Sequence, residues 1–339
     1  MRKIEEVFID DVCLEEILKK HKKWVNYKKG GKRADLSGID LSFVDLNGID
    51  LRYANLKNTN LNRTDLSYAN LRCVYLSEAN LSNAILYNAD LESIDLTNAN
   101  LYNADLRNAN LNSADLYNAN LYNANLNEAN LSFANLYNAN LSNAYLSYAD
   151  LSYANLKGAN LSNANLCFAN LYNADLSNAN LKSVDLTRAN LSDTNLGHAD
   201  LRCAELSRSN LVGAELKYAN LTNIEYDSKT SFFALQCPEK GSFIGYKKAR
   251  EKIVELLITE DSKRSSATSR KCRCSKAKVL SITNIENTEE YDEVVSDYDE
   301  DFIYKVGEIV EVKYFDDNRW EECSTGIHFF ITRGEAVRY

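Results

Sequence analysis

The chain has 339 residues with a single Pro and a single Met; 45% are hydrophobic and 26% charged, enough apolar material for a core and too much for a disordered polyampholyte. Its 39 basic and 48 acidic residues leave a net charge of −9, which disfavours a generic nucleic-acid or membrane binder. No run of eighteen apolar residues predicts a transmembrane helix. The charged start MRKIEEVFIDDVC lacks an apolar signal core, and eight cysteines without disulfide spacing read as free thiols in a reducing, cytoplasmic setting.

In chain order, VCLEEILKKHKKWVNYKK (12–29) reads as an amphipathic helix with Leu14, Ile17, Leu18 and Trp24 available for one face, stopped by Gly30 and Gly31. From Leu36 to Leu221 a Leu then stands at every fifth position without exception, 38 in all. Two residues before each Leu comes a small or β-branched residue (Ala34, Ile39, Val44, then mostly Ala), and between them Asn or Asp at nearly every step. Such self-similarity sets the architecture before local propensity does. A helix with Leu every five residues rotates each by a net ~140° and has no apolar stripe. A plain strand fails as well, because an odd period sends successive leucines to opposite faces. A short strand followed by a corner fits: small residue, Asn/Asp and Leu point in, out and in, and the other two residues turn the chain. Coils then stack at about 4.8 Å over a core with room for one large residue per edge. The architecture is a β-solenoid.

The stretch RADLSGIDLSFVDL…LYNADLRNANLNSADLYNANLYNANL resembles the pentapeptide-repeat family, with its A-(N/D)-L-x-x consensus, over residues 33–226. The resemblance implies a right-handed quadrilateral β-helix with four pentapeptides per coil, hence about 9.5 coils and a rod ~45 Å long. Outward aromatics recur at a spacing of twenty (Tyr102/Tyr122, Tyr117/Tyr137, Phe133/Tyr153, Tyr148/Phe168), yet pairs at fifteen such as Tyr53/Tyr68 and Tyr122/Tyr137 are more numerous. Four-sidedness therefore rests on the family. The junction HKKWVNYKKGGKRADLSG is similar to the family's lead-in, which makes residues 1–32 an N-terminal helical cap over a coil end that would otherwise expose backbone and core. Tyr75, Ile85 and Tyr145 replace the outward Asn/Asp, as do Glu205, Glu215 and Glu225; Thr59, Thr64, Thr194 and Ser209 put hydroxyls at the small inward position. These departures read either as drift or, for Tyr75, Ile85 and Tyr145, as a partner-binding patch. Some members of the family occupy the DNA site of topoisomerases. Here residues 33–225 carry twenty acidic and twelve basic side chains, sparse beside one phosphate per ~1.7 Å of duplex.

At Tyr226 the leucine register breaks. SFFALQ, GSFIGYKKA, KIVELLI, KAKVLSI, FIYKV and GIHFFI predict strands and TRGEAVRY a final helix, so 227–339 is expected to be an α+β domain in a chain that is mainly β. KRSSATSRKCRCSKAK (263–278) holds seven basic and no acidic residues; ENTEEYDEVVSDYDED (286–301) holds nine acidic and no basic ones. Lys263, Arg264, Arg270, Lys271, Arg273, Lys276 and Lys278 are the candidate polyanion contacts, the alternative being a basic loop docked on the acidic block or simply solvated. Cys272 and Cys274, with Cys237 and Cys323, lack the paired spacing of known zinc sites, so no metal is expected. GIHFFITRGEAVRY resembles a strand-and-helix piece of ADP-ribosyltransferases, although His328 stands where that family has Tyr and Glu335–Ala336 at its Ser-Ala. The whole domain resembles an uncharacterised module found behind pentapeptide repeats in phage and large-virus proteins. The expected function is that of a non-catalytic binding or scaffolding protein with a protein partner, no catalytic residues, no cofactor and no membrane association. The alternatives are nucleic-acid binding or transferase-like activity in 227–339, and a DNA-mimic topoisomerase inhibitor.

Overall fold

The computed structural model describes residues 1–227, 229–231, 238, 241–266, 271–316 and 325–339. The chain divides into two compact units, Met1–Phe232 and Phe233–Tyr339. Among the described residues no helix is long and apolar enough to cross a membrane.

The first unit is a stack of coils. Parallel bridges join each outward residue to the one twenty positions on, from Asp35–Asn55 to Glu205–Glu225, so one coil takes up four pentapeptides. The repeat is self-sufficient in backbone hydrogen bonds, as residues 101–105 show. Leu101 N donates to Asn120 O of the next coil (2.7 Å), Asn103 N to Tyr122 O (3.1 Å) and Asp105 N to Ala84 O of the previous coil (2.9 Å). Ala104 N closes the corner on Leu101 O (3.0 Å). The fifth donor, Tyr102 N, is taken by the Asn100 side-chain Oδ1 (3.2 Å). That bond is why Asn or Asp stands before each Leu: its carbonyl supplies the acceptor that the corner otherwise lacks. Asn side chains also bond up the stack, as in Asn120 Nδ2 to Asn100 Oδ1 at 3.0 Å.

Inward leucines are buried throughout the coils, as are the inward alanines except Ala219 near the end of the stack. The four hydroxyl departures are satisfied there: Thr59, Thr64 and Thr194 donate to Leu36 O, Leu41 O and Leu171 O of the previous coil, and Ser209 to Leu206 O of its own corner, at 2.7–2.9 Å. The second residue of every corner, from Gly38 to Asn223, has φ between +53° and +76°. None of these 38 residues is β-branched, whereas the first corner position accepts Thr97, Thr187 and Val212. The left-handed region excludes a branched Cβ and tolerates Asn, the commonest occupant.

Ahead of the coils lie a 3₁₀ turn (Ile4–Glu6), strands β1 (Phe8–Ile9) and β2 (Val12–Cys13), and helix α1 (Leu14–Val25). Leu14, Leu18 and His21 of α1 are buried, and His21 Nδ1 accepts from Ala34 N at 3.1 Å, at the first inward position of the repeat. Burial holds that imidazole below its ordinary value, against the pull of Asp50, so it stays neutral. Arg2 bridges Val44.

The second unit contains β3 (Phe243–Ala249), β4 (Lys252–Ile258), β5 (Arg264–Ser266), β6 (Cys272–Cys274), β7 (Lys276–Asn284), β8 (Glu293–Val295), β9 (Ile303–Lys305), β10 (Ile309–Glu311), β11 (Ile327–Phe329) and α2 (Arg333–Arg338). They form antiparallel sheets ordered β10-β7-β4-β3, β11-β6-β5 and β8-β9. Val254, Leu256, Val279, Tyr304 and Phe329 fill the core. Phe329 packs on Gly245, where a Cβ would come within 2.5 Å of its ring. Five of the expected strands and the final helix are present. SFFALQ, apart from Ser231, lies outside the described residues. Strands β5, β6, β8 and β10 were not anticipated; β5 and β6 run inside the basic segment, which is therefore not a free loop.

Candidate functional site

On the coils, the two corner positions are the variable ones, and their side chains form the rod's relief. Phe133 stacks on Tyr153 (centroids 4.9 Å apart, 1° between planes) and Tyr148 on Phe168 (4.7 Å, 9°). Both pairs stay open to solvent, Phe133 and Tyr148 being 59% exposed. They occupy the two corners flanking the outward column Asn130–Asp150–Asn170, so two aromatic rails border one polar strip. Tyr172 meets Tyr153 edge-on at 5.5 Å and the Arg188 guanidinium lies 5.1 Å over Phe168. A second set, Tyr102/Tyr122 and Tyr117/Tyr137, flanks the Asn100–Asn120–Asn140 column at centroid distances of 5.7 Å.

Tyr75, Ile85 and Tyr145 do not form a patch. Tyr75 belongs to the column of Asn55 and Asp95, Ile85 to that of Asp65 and Asp105, and Tyr145 to the same column as Ile85 but three coils on. Tyr75 instead lies under Arg33 and Lys57, at 5.0 and 5.7 Å. At Tyr145 the missing corner acceptor comes from a neighbouring coil, with Ser147 N donating to Asn127 Oδ1 at 2.8 Å. The rails were visible in the sequence as spacings of twenty, masked by the more numerous spacing of fifteen.

In the second unit a cleft of about 630 Å³ opens among β3, β9, β11 and the C-terminus, lined by Lys247, Lys271, Tyr298, Phe302, His328 and Tyr339 among others. A contiguous hollow of about 270 Å³ shares Lys247, Lys271 and His328 with it. The alternation of β3 decides the placement of Lys247: it shares the buried face with Gly245 and Ala249. It is only 8% exposed, and burial, reinforced by Lys271, lowers its ammonium pKa against the pull of Asp297. The Tyr304 ring lies 5.9 Å away, and burial pushes that phenol far up. Lys271 Nζ donates to Tyr339 Oη at 2.9 Å.

The basic segment is not one anion-binding surface. Arg264 spends its guanidinium on the carbonyls of Pro238, Gly241, Thr259 and Ser262 at 2.6–3.3 Å. Arg273 is buried, reaching Asp316 O at 3.1 Å. Lys276 pairs with Asp261 rather than with the acidic block. Lys263 and Lys278 are exposed, and Arg270 lies outside the described residues. Among the described residues of the seven, only Lys271 lines the cleft, whose rim also carries Asp297, Tyr298 and Asp299 of the acidic block. Cys272 and Cys274 are buried thiols in β6, while Cys237 and Cys323 lie outside the described residues. The two residues of the transferase resemblance have separate roles: His328 lines the cleft, whereas Glu335 accepts from Thr332 N and Thr332 Oγ1 (3.1 and 2.8 Å), capping α2.

The family model for pentapeptide repeats matches in overlapping copies from residue 32 to residue 224, and a family of unknown function, DUF5758, matches 233–336. Among solved structures, the chain is similar to HetL, a pentapeptide-repeat protein involved in heterocyst differentiation regulation from the cyanobacterium Nostoc sp. strain PCC 7120. Identity is 35% over 60% of this chain and 92% of that one, with a TM-score of 0.44. It is also similar to the pentapeptide-repeat protein Rfr23 of the cyanobacterium Cyanothece 51142 (38% identity, 32% of this chain, 63% of that one, TM-score 0.18). QnrB1, a plasmid-mediated fluoroquinolone resistance protein, matches at 19% identity over 58% of this chain and 88% of that one, TM-score 0.23. Comparison with curated proteins finds no match.

Proposed function

The chain belongs to the pentapeptide-repeat family, and from that premise we propose that it is a non-catalytic protein-binding scaffold. In this reading residues 33–226 are a right-handed four-sided rod, residues 1–32 are its N-terminal cap, and 227–339 form a second recognition domain. The twenty-residue bridge spacing supports four sides, and the bond from Ala34 to His21 supports the cap.

One observation carries the binding role: the rails Phe133/Tyr153 and Tyr148/Phe168 remain exposed on a lattice whose backbone donors are already used within the rod. Rigid aromatic side chains lose little entropy on contact and dominate protein interfaces. The DNA-mimic reading is weaker, because Asp50, Asp105 and Asp200 are neutralised by Arg52, Arg107 and Arg202 of their own corners. Capture from nuclease-treated lysate tests the proposal. Full-length chain retains a protein partner, and replacing Phe133, Tyr148, Tyr153 and Phe168 together by Ser abolishes retention. Retention by that variant, with the melting curve unchanged, would refute it.

A further inference from the structure

The Lys247 side chain is largely buried and makes no ion pair among the described residues. Among the described residues its ammonium makes no hydrogen bond or ion pair; the Tyr304 ring lies 5.9 Å away, and Asp297 and Lys271 act on it only through space. Asp297, the acid on the same rim, accepts from Arg250 N at 2.8 Å and makes no ion pair with Lys247. An ammonium on a largely buried stem with no paired acid is costly, so folds keep one chiefly where something else completes it. Here the amine lines a cleft large enough for a small molecule. Lys271 stands on the same cleft, oriented by Tyr339, and Tyr298 and Phe302 supply flat walls.

We propose that this cleft binds a small organic oxyanion, a phosphate or carboxylate on a planar or aromatic body, with Lys247 as the buried anchor, Lys271 as the second cation at the mouth and the aromatic walls holding the ring. The oxyanion completes Lys247 with a charge-assisted hydrogen bond in a poorly solvated place, where such a bond is strong. The β3 alternation that buries Lys247 beside Gly245 and Ala249 fixes the anchor on a strand rather than on a loop, so the site is preformed. The site is separate from the rod's aromatic rails, and failure of the capture experiment leaves it standing.

Calorimetric titration of the full-length chain with phenyl phosphate, benzoate and phenol tests it. Wild-type protein binds at least one of the two anions and not the neutral phenol; comparison of the two anions separates a phosphate from a carboxylate preference. Lys247→Met weakens that binding by roughly tenfold or more, while the ligand-free variant melts at a higher temperature than wild type because an uncompensated charge has gone. Lys271→Gln, at the mouth, weakens binding independently of any effect of the first substitution on folding. Failure of both anions to bind wild type at about 10 mM, or equal binding by wild type and both variants, would overturn the proposal.

Discussion

Leu121→Ala destabilises the rod by about 2–5 kcal/mol, toward the upper end, measured as a drop in the urea midpoint. The spread in such substitutions reflects how far neighbours collapse into the space left behind. Here collapse is blocked. Leu121 N is tied to Asn140 O at 2.7 Å and Leu101 N to Asn120 O at 2.7 Å, so the coils above and below cannot close a gap of one side chain without breaking their ladders. Each coil contacts chiefly its neighbours, so the damage is local first, with loss of amide protection concentrated around that coil.

The second large effect concerns backbone shape alone. Ser183 and Lys182 are adjacent, exposed and part of the same corner, but only Ser183 is left-handed, with φ +55°. Ser183→Val therefore costs at least about 1–2 kcal/mol, since a Cβ already crowds the left-handed conformation and branching worsens the clash. Lys182→Val changes stability by no more than about 0.5 kcal/mol, as Val212 at the equivalent corner position implies. Matched denaturation curves of the two variants check this. Equal losses would mean that the corner is not held in that conformation.

The rod was legible because its constraints repeat. The Leu period and the inward alanines follow from a narrow shared core, and the Asn/Asp column predicted corner bonding that the structure contains. The absence of β-branched residues at the second corner position was also written in the sequence, and it records the left-handed backbone directly. The number of sides was less accessible. Ring contacts along the coils fall at spacings of nineteen and twenty, as in Tyr68/Tyr87 and Tyr148/Phe168, but residues fifteen apart share the same corner chemistry and mimic the signal. Tyr75, Ile85 and Tyr145 stood out as departures from consensus, yet departure along the chain says nothing about adjacency around a coil.

The second unit was harder for a different reason. A short strand such as Cys272–Cys274 is fixed in part by a partner far along the chain, Ile327–Phe329, while Glu293–Val295 pairs with Ile303–Lys305 across a connection that its acidic composition does not reveal. Local composition around them says only that one segment is basic and the other acidic. Arg264 and Arg273 look like surface charges in sequence and are taken up by backbone carbonyls in space. Lys247 carried one local clue, a lysine in register with Gly245 and Ala249 on a strand; that it also faces a cleft depends on β9, β11 and the C-terminus.

Hydrogen–deuterium exchange of the full-length chain, with and without its captured partner, tests the scaffold account most directly. The account predicts that partner binding protects the corners carrying Phe133, Tyr148, Tyr153 and Phe168 and leaves the cleft around Lys247 unprotected. Protection confined to residues 243–339, with the rod's exchange unchanged, would contradict it and reduce the rod to a spacer.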